Sequence, residues 1–323
     1  MSVTRTDFTE KLKVNAYRWF WEAATTNYDT WTELFAEDTD FPEDASYTMT
    51  TSALGLGDLK EKKEGDKLEF DSPMEGYSVL GAPKTFGRQI SFSLELYSDT
   101  QVEGLFRKTV ASWRDAYERT RDKTFAKVFN YGAFTAGHSI FNNSIPGLIT
   151  DPSGDLIYDG KPLFAASGNE HVSKGGGTYY NFQALALNAA NLKTVYTAMT
   201  TTNAKDERDE DIDIVPDVLL VPPALKFTAE EILKSTSLDS SNPGVTNVLR
   251  DIVRPVVWRR LTDTDGWILM QSKKGIYVIN KLDPVIDFWV DPETKDYRAS
   301  IICRFGIYVQ NWRFVYGCNL SQS

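Results

Sequence analysis

Few residues in this chain have the type and spacing that chemistry needs. There are two histidines, His138 and His171, and they do not form the His-Glu-x-x-His pair that grips zinc on one helix face. The two cysteines, Cys303 and Cys318, are too few for a disulfide framework or a four-cysteine zinc site. Cys303 falls in an alternating apolar stretch, where a free thiol packs as a small hydrophobe. No Gly-x-Ser-x-Gly elbow for acyl transfer occurs. Ser173-Lys174 precedes Gly175–Gly177, the reverse of a phosphate-binding loop. Gly55-Leu56-Gly57 lacks the third glycine of a dinucleotide fingerprint. One acidic run has metal-ligand spacing. Asp209, Asp211 and Asp213 alternate as at the start of a calcium loop, but Ile214 stands where that loop needs glycine and no glutamate ends it. The run reads as a solvated acidic loop, with a weak divalent-cation site as the alternative. His171, just before Gly175–Gly177, reads as a surface-loop histidine, with a ligand loop as the alternative. No enzyme class emerges and no cofactor is called for.

Composition bounds the rest. Of 323 residues, 41% are apolar and 25% charged, which suits a folded chain and excludes wholesale disorder. The net charge of −10 repels phosphate in bulk, so contact with nucleic acid is expected to be local and weak. No apolar run approaches the roughly 18–20 residues of a membrane helix. The first residues, MSVTRTDFTEKLK, lack the apolar stretch of a signal peptide.

The elements that must position these residues are clearer than the residues themselves. Residues 1–45 crowd Trp19, Phe20, Trp21, Tyr28, Trp31, Phe35 and Phe41 among acids. The segment reads as an arm that packs on something else, another subunit among the possibilities, or as a helix docked on its own domain. Residues 46–98 read as strands. Phe86, Ile90, Phe92, Leu94 and Leu96 share one parity, which marks a strand with one buried face. The charged, glycine-rich stretch at about 55–84 fits a projecting hairpin. It carries Asp58, Lys60, Lys62, Lys63, Glu64 and Lys67. Residues 99–129 hold a long helix, with apolar residues from Val102 to Phe129 at helical spacing and Ser98/Gln101 as a capping box. A second helix is expected at about 182–200, a strand at Val218–Val221 ended by Pro222-Pro223, and a helix capped by Thr228 and Glu231. Trp267–Asn280 reads as a hairpin turning near Gly275. Two further strands follow, with Ile286, Phe288 and Val290 in one and Ala299 to Val309 in the other.

Three stretches carry a family resemblance. Asp159–Asn181 resembles a segment of Mu-like major head subunits of tailed phages, through Asp159, Gly160, Pro162, Leu163, Phe164, His171, Gly175, Gly176 and Asn181. PDVLLVPPALKFTAEEIL resembles the strand, proline turn and helix of that family. The final strands resemble its ending through Arg304, Gly306 and Trp312. The resemblance implies an α+β fold of the Hong Kong 97 type. Its parts would be an N-terminal arm (1–45), P-domain strands with a projecting E-loop (46–98), and a spine helix (99–135). An A-domain (mainly 136–283) and C-terminal strands returning to the P-domain (284–323) would complete it. It implies a major capsid protein that self-assembles as pentamers and hexamers into an icosahedral shell around double-stranded DNA. A tail-tube or ring protein is the nearest alternative, and a metal-dependent enzyme the next. The family's long scaffolding segment is expected to be missing before residue 45. A separate scaffolding protein, a portal and a decoration protein are therefore expected partners, with no membrane. The place would be the virion, assembled in the host bacterial cytoplasm. Trp19, Trp21, Trp31 and Phe35, with the loop charges from Asp58 to Lys67, are the expected assembly contacts.

Overall fold

A computed structural model describes residues 5–23, 28–42, 44–54, 61–65, 67–68, 70, 74–93, 102–133, 159, 161–237 and 246–320. The first half of the chain comprises α1 (Arg5–Glu22), α2 (Thr30–Leu34), β1 (Ala36–Glu37), β2 (Thr48–Leu54), β3 (Met74–Gly81), β4 (Lys84–Phe92) and α3 (Val102–Asn130). Then follow β5 (His171–Val172), β6 (Thr178–Tyr179), β7 (Phe182–Gln183), α4 (Ala189–Thr200), β8 (Val218–Val221) and α5 (Lys226–Lys234). The chain ends with β9 (Arg254–Val257), β10 (Trp267–Met270), β11 (Ile276–Val290), β12 (Tyr297–Val309) and β13 (Val315–Cys318).

The expected long helix is present. At 29 residues α3 is about 43 Å long. Val110, Trp113, Tyr117, Phe125, Val128 and Phe129 fall on one helical face and form its buried stripe. That stripe packs on a four-stranded sheet of order β1-β11-β12-β4. The alternation read for β12 holds, since Ala299, Ile301, Cys303, Phe305 and Ile307 are all buried. Pro284 sits where the β11–β12 register shifts, a place where a missing backbone N–H costs no ladder bond. There Ile286 N, on a strand beside α1, donates to the Tyr17 hydroxyl at 3.1 Å.

A second sheet, of order β7-β13-β10-β8-β9, is covered on both faces. Val218, Leu220, Ile268 and Met270 enter the core shared with α3. Leu219, Val221, Trp267 and Leu269 enter a second core with α4 and α5. Double burial explains why β8 and β10 read as unbroken apolar runs. Pro255 lies in the edge strand β9, where no neighbour needs its donor.

Three local expectations are corrected. Residues 267–280 do not form a hairpin. β10 pairs with β13 and β8, whereas β11 pairs with β12 and β1, so the turn passes the chain from one sheet to the other. Gly275 takes φ 77° there, and a Cβ on it would run into the Asn311 carbonyl oxygen. The second helix starts at Ala189, not 182, with the Asn188 side chain accepting from Asn191 N at 2.8 Å. Phe182–Gln183 instead pairs parallel with β13. Thr228 does not cap α5, which begins at Lys226 directly after a 3-10 turn at Pro223–Leu225. Of the two readings of residues 1–45, the described part shows the docked one, with α1 and α2 packed on α3 and β1 joined to β11. The Ser98/Gln101 cap, Leu94 and Leu96 lie outside the described residues.

Candidate assembly surfaces

The groups singled out for chemistry turn out to hold the fold together. His171 is fully buried, so neither the surface reading nor the ligand-loop reading stands. Its Nδ1 lies 2.6 Å from Asp159 Oδ2 and its Nε2 3.4 Å from the Leu163 carbonyl. Its ring stacks on Trp312 with centroids 4.1 Å apart. Asn181 completes the knot. Its side-chain oxygen accepts from Ala165 N at 2.8 Å, and its amide donates to the carbonyls of Leu163 at 2.8 Å and Val315 at 3.1 Å. Its backbone accepts from Gly317 N at 2.9 Å. The Asp159–Asn181 motif thus ties a loop to β13, across about 135 residues of sequence. His138 lies outside the described residues.

The acidic run is a folded turn. Asp209 accepts from Ser173 Oγ at 2.5 Å, Tyr179 OH at 2.7 Å and Gly177 N at 3.1 Å. A Cβ on Gly177 would strike that carboxylate, which is why glycine stands there. Asp211 pairs with Lys205 at 2.6 Å, and Asp213 is exposed. Glu207 is buried and pairs with the buried Arg313 at 2.7 Å. Among the described residues no three His, Cys, Asp or Glu side chains converge to hold a metal. Two of the three alternating carboxylates, Asp209 and Asp211, face different partners.

Asp209 yields a pH prediction. Burial works to raise its pKa, but hydrogen bonds from Ser173, Tyr179 and Gly177, aided by Arg313, outweigh that and hold the carboxyl below the usual range. Burial first, then Asp209, pushes the Tyr179 phenol up to about 12. A carboxyl with a depressed folded pKa stabilises the fold above its unfolded value and loses that contribution as pH falls through the folded value. Urea midpoints should therefore drop as the pH goes below about 4, and Asp209→Asn should flatten part of that decline. Parallel acid limbs for the two proteins would contradict this.

Both thiols are buried, and burial pushes Cys303 up to about 11 and Cys318 higher still, which disfavours the thiolate.

The expected assembly contacts divide into three groups. Trp31 and Phe35 are 3% and 2% exposed within their own chain, so they have no surface left to bury on a neighbour. Trp31 meets Phe125 edge-on at 5.0 Å and lies under the Arg121 guanidinium at 4.5 Å. Trp19 is half-buried against the same core. Trp21 is 53% exposed, with Arg114 over its ring at 4.4 Å, and keeps a face to offer. Lys62, Lys63, Glu64 and Lys67 are exposed in the loop that joins β2 to β3, an antiparallel pair. Asp58 and Lys60 lie outside the described residues. Sequence reasoning passed over Leu68 and Phe70 in that loop, which are 76% and 103% exposed. Their signal was present, as two large apolar residues inside a run of charges.

A long helix across a four-stranded sheet, an antiparallel strand pair bearing an exposed charged loop, and a second sheet covered on both faces make up a fold of the Hong Kong 97 capsid type. The phage capsid protein family matches residues 76–317, and the chain belongs to that family. No curated protein sequence matches it. Solved structures share the fold at low identity. The capsid of Myoviridae phage XM1 superposes with TM-score 0.53 at 10% identity, covering 91% of this chain and 92% of that one. A Mycobacterium phage Bobi chain gives 0.52 at 10% identity, with both chains fully covered. The capsid of a native GTA particle gives 0.52 at 12% identity, covering 91% and 90%. Among the described residues no helix is long and apolar enough to cross a membrane.

Proposed function

We propose that this chain is the major capsid subunit of a tailed phage, and that pentamers and hexamers of it close into an icosahedral shell around double-stranded DNA. The observation that carries this is the family match across residues 76–317 in a chain of Hong Kong 97-type fold. Within that family the Asp159–Asn181 pattern favours the Mu-like head subunits. The arm, E-loop, P-domain and A-domain boundaries read from the sequence remain our division of the chain. The subunit works by contact and not by catalysis, because heterologous contacts close into rings and rings tile a shell. Its net charge of −10 limits attraction between the wall and packaged DNA, which leaves weak local contacts. A scaffolding protein, a portal and a decoration protein are the partners we assign, and the host cytoplasm is the place of assembly. Negative-stain microscopy of concentrated protein, with scaffold supplied, should show closed shells. Dispersed monomers under those conditions would refute the proposal.

The loop between β2 and β3 is proposed to lie over an adjacent subunit. Exposed ion pairs on one chain are worth about 0–1 kcal/mol each, so a strip of mixed charge does little for a lone monomer. Across a boundary the same charges set register and exclude wrong partners. Reversing Lys60, Lys62 and Lys63 together should sharply reduce shell yield while leaving the circular dichroism of the subunit unchanged. Wild-type yield and salt sensitivity in the triple variant would instead mean a solvated hairpin.

A further inference from the structure

We infer that Phe70 of one subunit inserts into a cleft between the spine helix and the four-stranded sheet of a second copy of this chain. The inference rests on the shell reading above and names the socket that receives the loop.

The cleft has a volume of about 270 Å³. Trp113 and Tyr117 of α3, Phe86 of β4 and Phe305 of β12 line it, and the exposed Arg88 and Arg119 stand among its walls. An apolar cavity of roughly 150 Å³ suffices to hold benzene, so this cleft has the volume for a phenyl ring. Phe70 and Leu68 are the most exposed of the large apolar side chains among the described residues. Phe70 does not fill the cleft of its own chain, because its ring is fully in solvent. An apolar socket and an apolar plug thus stand open on the same molecule. Burying one in the other removes both from water.

Charge selects this occupant over other apolar surfaces. Glu69 and Asp71 flank Phe70 in the sequence, and Arg88 and Arg119 accompany the aromatic lining of the cleft. An aromatic residue between two carboxylates complements an aromatic hole beside two guanidinium groups. Arg119 holds Asp115 at 3.2 Å along its own helix, an exposed pairing that leaves a guanidinium capable of meeting a second carboxylate. The geometry is that of an interface anchor, with one aromatic side chain in a pocket and charges around it.

The test uses the full chain under conditions in which the wild type forms shells. Phe70→Ala should raise the protein concentration needed for assembly about tenfold, with circular dichroism and thermal midpoint unchanged. Ala116 also lines the cleft and is half-buried, so Ala116→Phe should block the socket and give a similar rise. Combining the two should be no worse than either alone, because both remove one contact. If Ala116→Phe lowers the thermal midpoint, the exposed charges decide. Arg88→Glu should impair assembly, and adding Glu69→Arg to the same chain should restore it. Unchanged assembly by Phe70→Ala and Arg88→Glu would overturn the socket while leaving the shell reading intact. Density for another segment of the same chain in the cleft of an assembled shell would do the same. Failure of the wild type to assemble would overturn both.

Discussion

Replacing Phe35 by alanine should destabilise the folded subunit by about 3–5 kcal/mol, the usual cost of emptying a buried aromatic site. Its ring lies 5.6 Å from Phe129 on α3 and 6.0 Å from Trp258 beyond β9. It is therefore a joint between both halves of the main core. Removing residues 1–40 should do more. The deletion takes out Phe20, Trp31, Leu34 and Phe35 from the core, and with them strand β1. It also strips Lys273 N of its acceptor, the Leu34 carbonyl at 2.7 Å. We expect the truncated chain to show no cooperative unfolding transition in urea. From sequence alone the expectation was a folded protein unable to assemble. A soluble truncated subunit with native circular dichroism would restore that view.

The second large effect is expected at Asn181. Asn181→Leu keeps the branched four-atom side chain, though it is bulkier, and leaves Ala165 N and the carbonyls of Leu163 and Val315 without their buried partner. Each orphaned group costs about 1–3 kcal/mol, so a loss of about 3–5 kcal/mol is expected once some relaxation is allowed. Asn181→Asp should also destabilise, because its carboxylate would face two carbonyls in place of donors. Urea denaturation of the three proteins checks this. A change under 1 kcal/mol in the leucine variant would show that the knot is dispensable. Trp258 and Arg260 offer a parallel case, since both donate at 2.7 Å to the buried Asp122 of α3 and join the two sheets' surroundings.

Periodicity made the large elements legible. Val110, Trp113 and Tyr117 repeat every three or four residues, and that spacing alone places them on one side of α3. Ala299, Ile301 and Cys303 alternate, and that alone turns them to one side of β12. Spacing failed where the partner lies far away. Trp267–Asn280 carries strand residues on both sides of a glycine turn, which is the local pattern of a hairpin. Whether its strands pair depends on β13 and β12, more than 20 residues further on, and they compete for the same edges.

The candidate site divided along the same line. The order of aromatic N-terminal segment, charged loop, long helix and returning strands is written in the chain, because burial on one face leaves a repeat that residue spacing displays. What each polar residue does was decided by the tertiary structure. Asp209 looked like the first ligand of a metal loop, and folding hands its oxygens to Ser173, Tyr179 and Gly177. His171 looked exposed among glycines and is enclosed by Asp159, Leu163 and Trp312. Trp31 and Trp21 looked alike, yet one is core and the other surface. A hydrogen bond or a burial needs two partners in space. The sequence by itself determines only one of them, and the fold supplies the other.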